Sequence, residues 1–519
     1  MPNVLIENKS LLNEVIAAAK LLKDGEAEYL AGLVKTEEGE QPKISQESLA
    51  KKFHHPLDDE ICSQLQDLLP KAGTEVDFYA NIDAIKSLWE DLLGRSIKCL
   101  RLLDRNEPYQ HKDKEPIAYG LENLKKFFQK YAKFESLLYG SNHSYRDHIV
   151  HVFQTWLLGV LILFNKKNQP NGDLFIKEIH VEGFHQKSKE HKNIPMYEAL
   201  SMWTIIALCH DLGYPLQKAN EIMDATNKMM ESFVYNPKTS LDVRFSGVQD
   251  NINDHILKFI SSRMITKKVP TAEDKEIFTG RVQPKYYIKF SKSLEQYSHG
   301  IISSVILYKT LVYFLETDFN INEDYYYDEA KVAQYYLRRD ILRAIAAHTC
   351  DEIYHMHSTT LSFLLIVCDD LQEWGRKSWE ELYRGHSTDS KIITELKRFN
   401  KDLVHIEEEV KIANDSHLLT AIQNISWQLE RYKRLFRDGQ DTDNRSFNFI
   451  KDFKIRVGPS HKYNIKFVIP KDTPAELRMI FHEGEVKDDQ FFVSLGVGYE
   501  PDAANPREAI IKKVPSRAY

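Results

Sequence analysis

The sequence predicts a mainly α protein: a helical N-terminal extension over residues 1–140, a helical-bundle core over 141–400, and a small α+β appendage over 401–519. Three observations predict it. Apolar residues recur at helical spacing through most of the first 400 positions. Alternating runs rich in Val, Ile and Phe gather near the C-terminus. Five separate apolar segments of the central region each carry a histidine or an aspartate.

In the extension, Leu11, Leu12, Val15, Ile16, Leu21 and Leu22 fall at near-helical spacing, as do Leu65, Leu68 and Leu69, then Ile85, Leu88, Leu92 and Leu93. Turn-like breaks stand at Glu37–Pro42 and Pro70–Gly73. With no catalytic pattern there, a cover or an oligomerisation element is the expectation. In the core, residues 144–164, 196–212, 294–316, 329–350 and 358–375 read as buried or amphipathic helices. A polar insertion at about 235–293, holding Val269-Pro270 and Arg281–Phe290, stays open between a lid, a loop and a partner surface. A charged, helix-like segment follows from about 400 to 437, and Asp438–Asn444 breaks it. Phe453–Val457, Tyr463–Ile469 and Phe491–Val497 read as strands, with breakers at Gly496–Gly498 and Pro501–Pro506.

A chain of 519 residues with 42% hydrophobic content can bury a large core. Its formal net charge of -7 argues against a general nucleic-acid binder but leaves room for a local basic pocket. Five cysteines with no C-x-x-C pair suit a reduced, cytoplasmic compartment. Cys209, Cys350 and Cys368 read as small buried apolar residues. The N-terminus lacks the apolar core of a signal peptide. The most apolar run, Ile149–Phe164, is short for a membrane span and is interrupted by His151, Gln154 and Thr155, so no membrane partner is expected. Shared apolar surface makes a symmetric homo-oligomer the expectation.

The chemistry lies in the ordered set His151, His210-Asp211, His299, His348 and Asp369. Imidazole nitrogens with carboxylate oxygens suit hard or borderline divalent ions: Mn, Fe, Mg, Ni, Co or Zn. His148 and His151 lie three apart on neighbouring helical positions, and His151 is the better ligand because the apolar run continues from it. Asp147 or His148 would then orient it. On an ideal helix adjacent side chains diverge by about 100°, so His210 and Asp211 share an ion only where the helix curves or ends. Gly213 and Pro215 supply that end. An aspartate in a run as apolar as Phe363–Cys368 needs a partner, and Asp370 reads as the more solvated of the two neighbours. Each histidine singly is more readily a satisfied core residue than a ligand. The joint pattern is far more specific.

That order of ligands resembles the HD-domain superfamily of metal-dependent phosphohydrolases, over about 151–370. The flanking runs Tyr145-Arg-Asp-His-Ile-Val-His, His210-Asp-Leu-Gly-Tyr-Pro-Leu-Gln-Lys, Ser298-His-Gly-Ile-Ile-Ser-Ser and Cys368-Asp-Asp-Leu-Gln-Glu-Trp-Gly-Arg are similar to a bacterial branch of it. The resemblance implies an HD helical-bundle core in which His151, His210, Asp211 and Asp369 form the four-ligand set. It implies that His299 and His348 are the extra histidines of two-metal members. Asp211 would then bridge one or two ions, with a metal-activated hydroxide as nucleophile.

Phosphate oxygens call for nearby cations. Lys218 is the first candidate, with a catalytic and substrate-binding role. Arg376 and Arg146 follow as substrate-binding groups, with Lys309 a weaker candidate, and Tyr214 either stacks on a base or packs on the core. The expected activity is nucleotide phosphohydrolysis, with deoxynucleoside triphosphates as best substrate. The alternatives are a cyclic nucleotide or cyclic dinucleotide phosphodiesterase and a catalytically silent nucleotide sensor. The chain departs from several branches. Tyr214 and Gln217–Asn220 stand where many triphosphohydrolases place further histidines. Gly213-Tyr-Pro directly follows His-Asp-Leu, unlike the later Gly-Tyr-Pro of the HD-GYP phosphodiesterases. The Glu-Asp pair that tetraphosphate hydrolases place after His-Asp is absent there.

Overall fold

The computed structural model describes residues 4–34, 46–53, 55–72, 80–104, 116–141, 148–164, 179–180, 193–194, 196–233, 249–268, 276–315, 321, 326–327, 329–350, 352–353, 360–372, 392–399, 403–412, 418–435, 448–458, 460–470, 475–482, 492, 494 and 496–515. Strand β1 (Val4–Ile6) opens the chain, followed by α1 (Asn8–Val34), α2 (Gln46–Lys52), α3 (Asp59–Leu68), α4 (Ile82–Leu103) and α5 (Leu121–Ser141). The helical character expected of this stretch is therefore observed where it is described, apart from β1, an unexpected strand. Of its two expected breaks, Glu37–Pro42 lies outside the described residues, and Leu69–Lys71 forms a short 3-10 turn at the other.

The core begins with α6 (Ile149–Phe164) and continues, past the short pair β2 (Ile179–His180) and β3 (Asn193–Ile194), with α7 (Met196–Cys209) and α8 (Tyr214–Met230). Every residue of α6 is buried, as expected for a helix that is apolar all round. It packs on α1 and α7, and α7 packs on α4. The two large indoles of this contact are satisfied: Trp203 Nε1 donates to the Trp156 carbonyl at 3.0 Å and Trp156 Nε1 to Thr204 Oγ1 at 3.0 Å. The candidate ligands near the start of α6 and just past the end of α7 thus ride on buried helices.

Where it is described, the insertion is ordered structure: α9 (Gln249–Ser261), a hairpin of β4 (Ser262–Lys268) and β5 (Glu276–Val282), and α10 (Pro284–Glu295). Ile256, Phe259, Ile260 and Phe290 are buried, so this part is packed on the core, while Val269-Pro270 lies outside the described residues. Then come α11 (His299–Thr310), α12 (Val312–Leu315), α13 (Glu329–Ala347) and α14 (Leu361–Leu371). Helix α13 packs on α11, α14 and α7; α14 returns to α6; and α11 lies on α8. That closed circuit brings five chain segments to one point.

The C-terminal part differs from expectation in its details. β6 (Ile392–Phe399), β7 (Leu403–Ile412), α15 (Leu418–Leu435), β8 (Asn448–Val457), β9 (Ser460–Ile469), β10 (Glu476–Phe481), β11 (Gly498–Pro501) and β12 (Glu508–Lys513) follow. Eight strands form one sheet in the order β1-β6-β7-β8-β9-β10-β12-β11. The charged segment expected to be helical from 400 is a strand to Ile412 before the helix begins. Its charges pair across strands, Glu407 with Lys454 at 2.5 Å and Glu409 with Arg456 at 2.7 Å, and Val404 and Ile406 face the core. The run at 491–497 is not a strand where described: Phe492 and Ser494 are helical, and Gly496 turns with φ 66°. Strands β7 and β8 are parallel. A parallel pair needs a crossover, and α15 provides it, laying Tyr432 against Phe449 with ring centroids 4.8 Å apart. The sheet takes its edge strand from residues 4–6, so it joins both ends of the chain. No helix among the described residues is long and apolar enough to cross a membrane.

Candidate metal centre

Helix α7 ends at Cys209, and residues 210–213 form the turn before α8. The turn is where His210 and Asp211 can face one point, as the Gly-Tyr-Pro run implies. Gly213 lets it lie on α11: a Cβ at that position would sit 2.4 Å from the His299 carbonyl oxygen and 2.8 Å from the Ser303 nitrogen. Ser303 Oγ accepts from the Gly213 amide at 2.8 Å and lies 2.6 Å from the His210 carbonyl, to which it donates.

All six expected ligands meet. Asp211 stands at the middle. Its Oδ2 is 3.6 Å from His151 Nε2 and 3.5 Å from His210 Nε2; its Oδ1 is 3.2 Å from His299 Nε2 and 3.7 Å from His348 Nε2. Asp369 Oδ1 lies on the first side, 3.0 Å from His151 Nε2 and 3.8 Å from His210 Nε2. One carboxylate therefore faces two groups of imidazoles with its two oxygens; His151–His210–Asp211, Asp211–His299–His348 and, across the two sides, His210–His348–Asp369 each have donor atoms close enough to hold an ion.

The four imidazoles share a second feature. His151 Nδ1 meets Gln372 Oε1; His210 Nδ1 lies 2.8 Å from the Ala207 carbonyl; His299 Nδ1 lies 2.8 Å from Gln217 Oε1; His348 Nδ1 lies 2.6 Å from the Ile345 carbonyl. An acceptor at Nδ1 fixes the proton there and turns the Nε2 lone pair toward the carboxylates. His299 and His348 then present Nε2 atoms 3.1 Å apart, a repulsive pair unless a cation or proton lies between them. His210 Nε2 is buried and makes no hydrogen bond among the described residues. On these grounds the residues fit a divalent ion. The donor set of four imidazoles and two carboxylates also suits one.

Electrostatics agree. Burial opposes ionisation of Asp211, yet His210, His299 and His348 hold its carboxyl well below the usual range; burial is likewise overcome at Asp369, by His151 and His210. Burial disfavours the His210 cation, but Asp211 and Asp369 lift it to about 8. Burial wins at His348, which falls to about 4. His299 and Asp369 have side chains 19% exposed against 4% or less for the other four, so the centre opens on their side.

The other expected residues divide. Tyr214 lies between His299, at 5.5 Å between ring centroids, and His148, whose ring lies tilted against it at 3.8 Å. Lys218 stands 5.2 Å from the Tyr214 ring and pairs with Glu221 at 2.5 Å, so part of its charge is already matched. Arg146, Arg376 and Asp147 lie outside the described residues. Lys309 is ten residues beyond His299 along α11, about 15 Å of helix, and is not brought to the centre. His148 does not orient His151: its backbone amide donates to Glu135 Oε1 at 2.7 Å, and its Nδ1 lies 3.0 Å from the same oxygen. Asp370 is not a solvated end: it pairs with Arg431 at 2.6 Å with its side chain 10% exposed. Cys209 and Cys368 are buried, and burial pushes both thiols up, in keeping with a packing role.

Sequence reasoning missed the residues that orient the ligands. Gln372 follows Asp369 by three, and Gln154 follows His151 by three. That spacing places each on its ligand's face of the helix and would have found them. Ser303 follows His299 by four, again on one face, whereas Gln217 gives no such signal. Comparison of the chain with family models, curated proteins and solved structures finds no match.

Proposed function

We propose that this protein is a metal-dependent phosphohydrolase with an HD-type, two-ion centre, acting on nucleotides, with deoxynucleoside triphosphates as the best candidate substrates. The observation that carries the reading is Asp211, a buried carboxylate whose two oxygens each face two imidazoles. His151, His210, Asp211 and Asp369 would hold one ion, and Asp211, His299 and His348 the other. When bound, such ions supply Lewis acidity, acidifying water toward neutrality and drawing charge off phosphoryl oxygens.

The chain's own residues do the rest. Acceptors at each Nδ1 keep the imidazoles in one tautomer and orientation, so no rearrangement is needed at the moment of reaction. The exposed edge at His299 and Asp369 is the side from which a phosphate can approach. Tyr214 lies beside that edge, between His148 and His299, and is the aromatic ring a nucleobase would meet there. Lys218 adds positive charge one step further out.

The test is product analysis with Mn present. A deoxynucleoside triphosphate should yield nucleoside and tripolyphosphate, and Asp211→Ala should reduce turnover to background. A linear monophosphate from a cyclic nucleotide would instead favour the phosphodiesterase reading, which the convergence of all six ligands also suits. Nucleotide binding without turnover of either class, across Mn, Fe, Co, Ni, Mg and Zn, would contradict the enzyme and leave a sensor.

A further inference from the structure

We propose that Arg431 is a positioning residue that sets the spacing between the two halves of the metal centre, a proposal that rests on the metal-centre reading above. Arg431 stands on α15, outside the helical core. Its Nη1 donates to Asp370 Oδ1 at 2.6 Å, and its Nη2 donates to the His348 carbonyl at 2.7 Å. Asp370 directly follows the ligand Asp369, on the side of the centre facing Asp211 Oδ2. His348 is itself a ligand, on the side facing Oδ1. One guanidinium therefore holds the ends of two ligand-bearing helices at a fixed separation.

The chemistry suits arginine. Helix α13 ends at Ala347, so the His348 carbonyl lies just past its last turn, where no helical amide follows to satisfy it. A cation at a helix C-terminus is favoured by the macrodipole. The planar fork of donors reaches two acceptors in one geometry, which a lysine ammonium does not reproduce.

The clamp is anchored in the sheet. Gln428, three residues before Arg431, accepts from Lys451 Nζ at 2.9 Å, and Lys451 on β8 pairs with Glu408 on β7 at 2.8 Å with both side chains buried. A second line leaves the same sheet at its edge. Strand β1 leads into Asn8, whose Oδ1 accepts from Gln154 Nε2 at 2.8 Å; Gln154 Oε1 in turn accepts from Gln372, which holds His151. His151, His348 and Asp369 are thus positioned from one sheet, so the C-terminal unit is part of the centre's framework.

The test strips the full chain with a chelator and titrates it with Mn, reading ions bound per chain and their affinity by equilibrium dialysis and elemental analysis, with circular dichroism to follow folding. Arg431→Ala should keep the wild-type spectrum and weaken binding at one or both ions by about 10–100-fold, the usual effect of removing a group that orients ligands. Arg431→Lys should recover part of that loss, because it restores charge to one acceptor. If Arg431→Ala does not fold, Asp370→Asn keeps an acceptor oxygen while dropping the charge, and should show a smaller loss in the same direction. Wild-type affinity in a folded Arg431→Ala protein, or failing that in Asp370→Asn, overturns the proposal while leaving the metal centre standing. A wild-type chain that takes up no Mn, Zn, Co, Ni or Fe removes the centre itself, and this inference with it.

Discussion

Each of the four imidazoles at the centre has its Nδ1 held by an oxygen and its Nε2 turned inward. The proposed ligands were legible in the sequence because histidines and aspartates in apolar segments are unusual and these come in a recognisable order. The oxygens that orient them were not, since two are backbone carbonyls and two are glutamine amides with no pattern of their own beyond the three-residue step from Asp369 to Gln372. Replacing Gln372 with Ala should lower metal affinity about tenfold or more while the fold persists, measured by metal titration; unchanged affinity would mean His151 is held some other way. His210 gives a pH prediction. Burial resists its charged form, but Asp211 and Asp369 raise it to about 8, so proton and cation compete for one nitrogen below that pH. Affinity should rise about tenfold per unit from pH 6 toward 8 and then flatten, since one proton is displaced. His348, at about 4, adds no dependence in that window. A flat profile across pH 6–8 would show that His210 is not a ligand.

At the scale of elements, the stop after Cys209 was readable from Gly213 and Pro215, and it places the His-Asp pair as those residues require. The glycine has a second duty that no local pattern reveals: it lets the turn touch α11, a contact fixed only by the tertiary fold. Gly213→Ala should destabilise the protein by about 1–3 kcal/mol, as overpacking does, and depress metal binding as well, because the added methyl pushes against the His299 backbone. Thermal melting and metal titration together check this, and a neutral substitution would contradict the close approach. Strand β7 was misread as helix for the converse reason. Three consecutive glutamates look like a solvated helix face, and only the neighbouring strands reveal their lysine and arginine partners.

Across the whole molecule, the proposed ligands come from α6, the turn after α7, α11, the residue just past α13, and α14, with α15 and β1 bracing them from the sheet. The helical class and a C-terminal α+β part could be read from periodicity. That the first strand of the chain closes onto β6 could not, because pairing between residues 4–6 and 394–396 leaves no local trace. A cation gripped by so many segments should stabilise the entire fold. Saturation at 100 times the dissociation constant is worth about 2.7 kcal/mol, so chelator should lower the melting temperature and Mn restore it; superimposable melts would argue that no ion is held. The most direct measurement is anomalous diffraction at the absorption edge of the bound metal. Two peaks about 3.5–4 Å apart, one on each side of the Asp211 carboxylate, are the predicted result. No peak within about 2.3 Å of any of the four Nε2 atoms, in crystals grown with the metal, would contradict it.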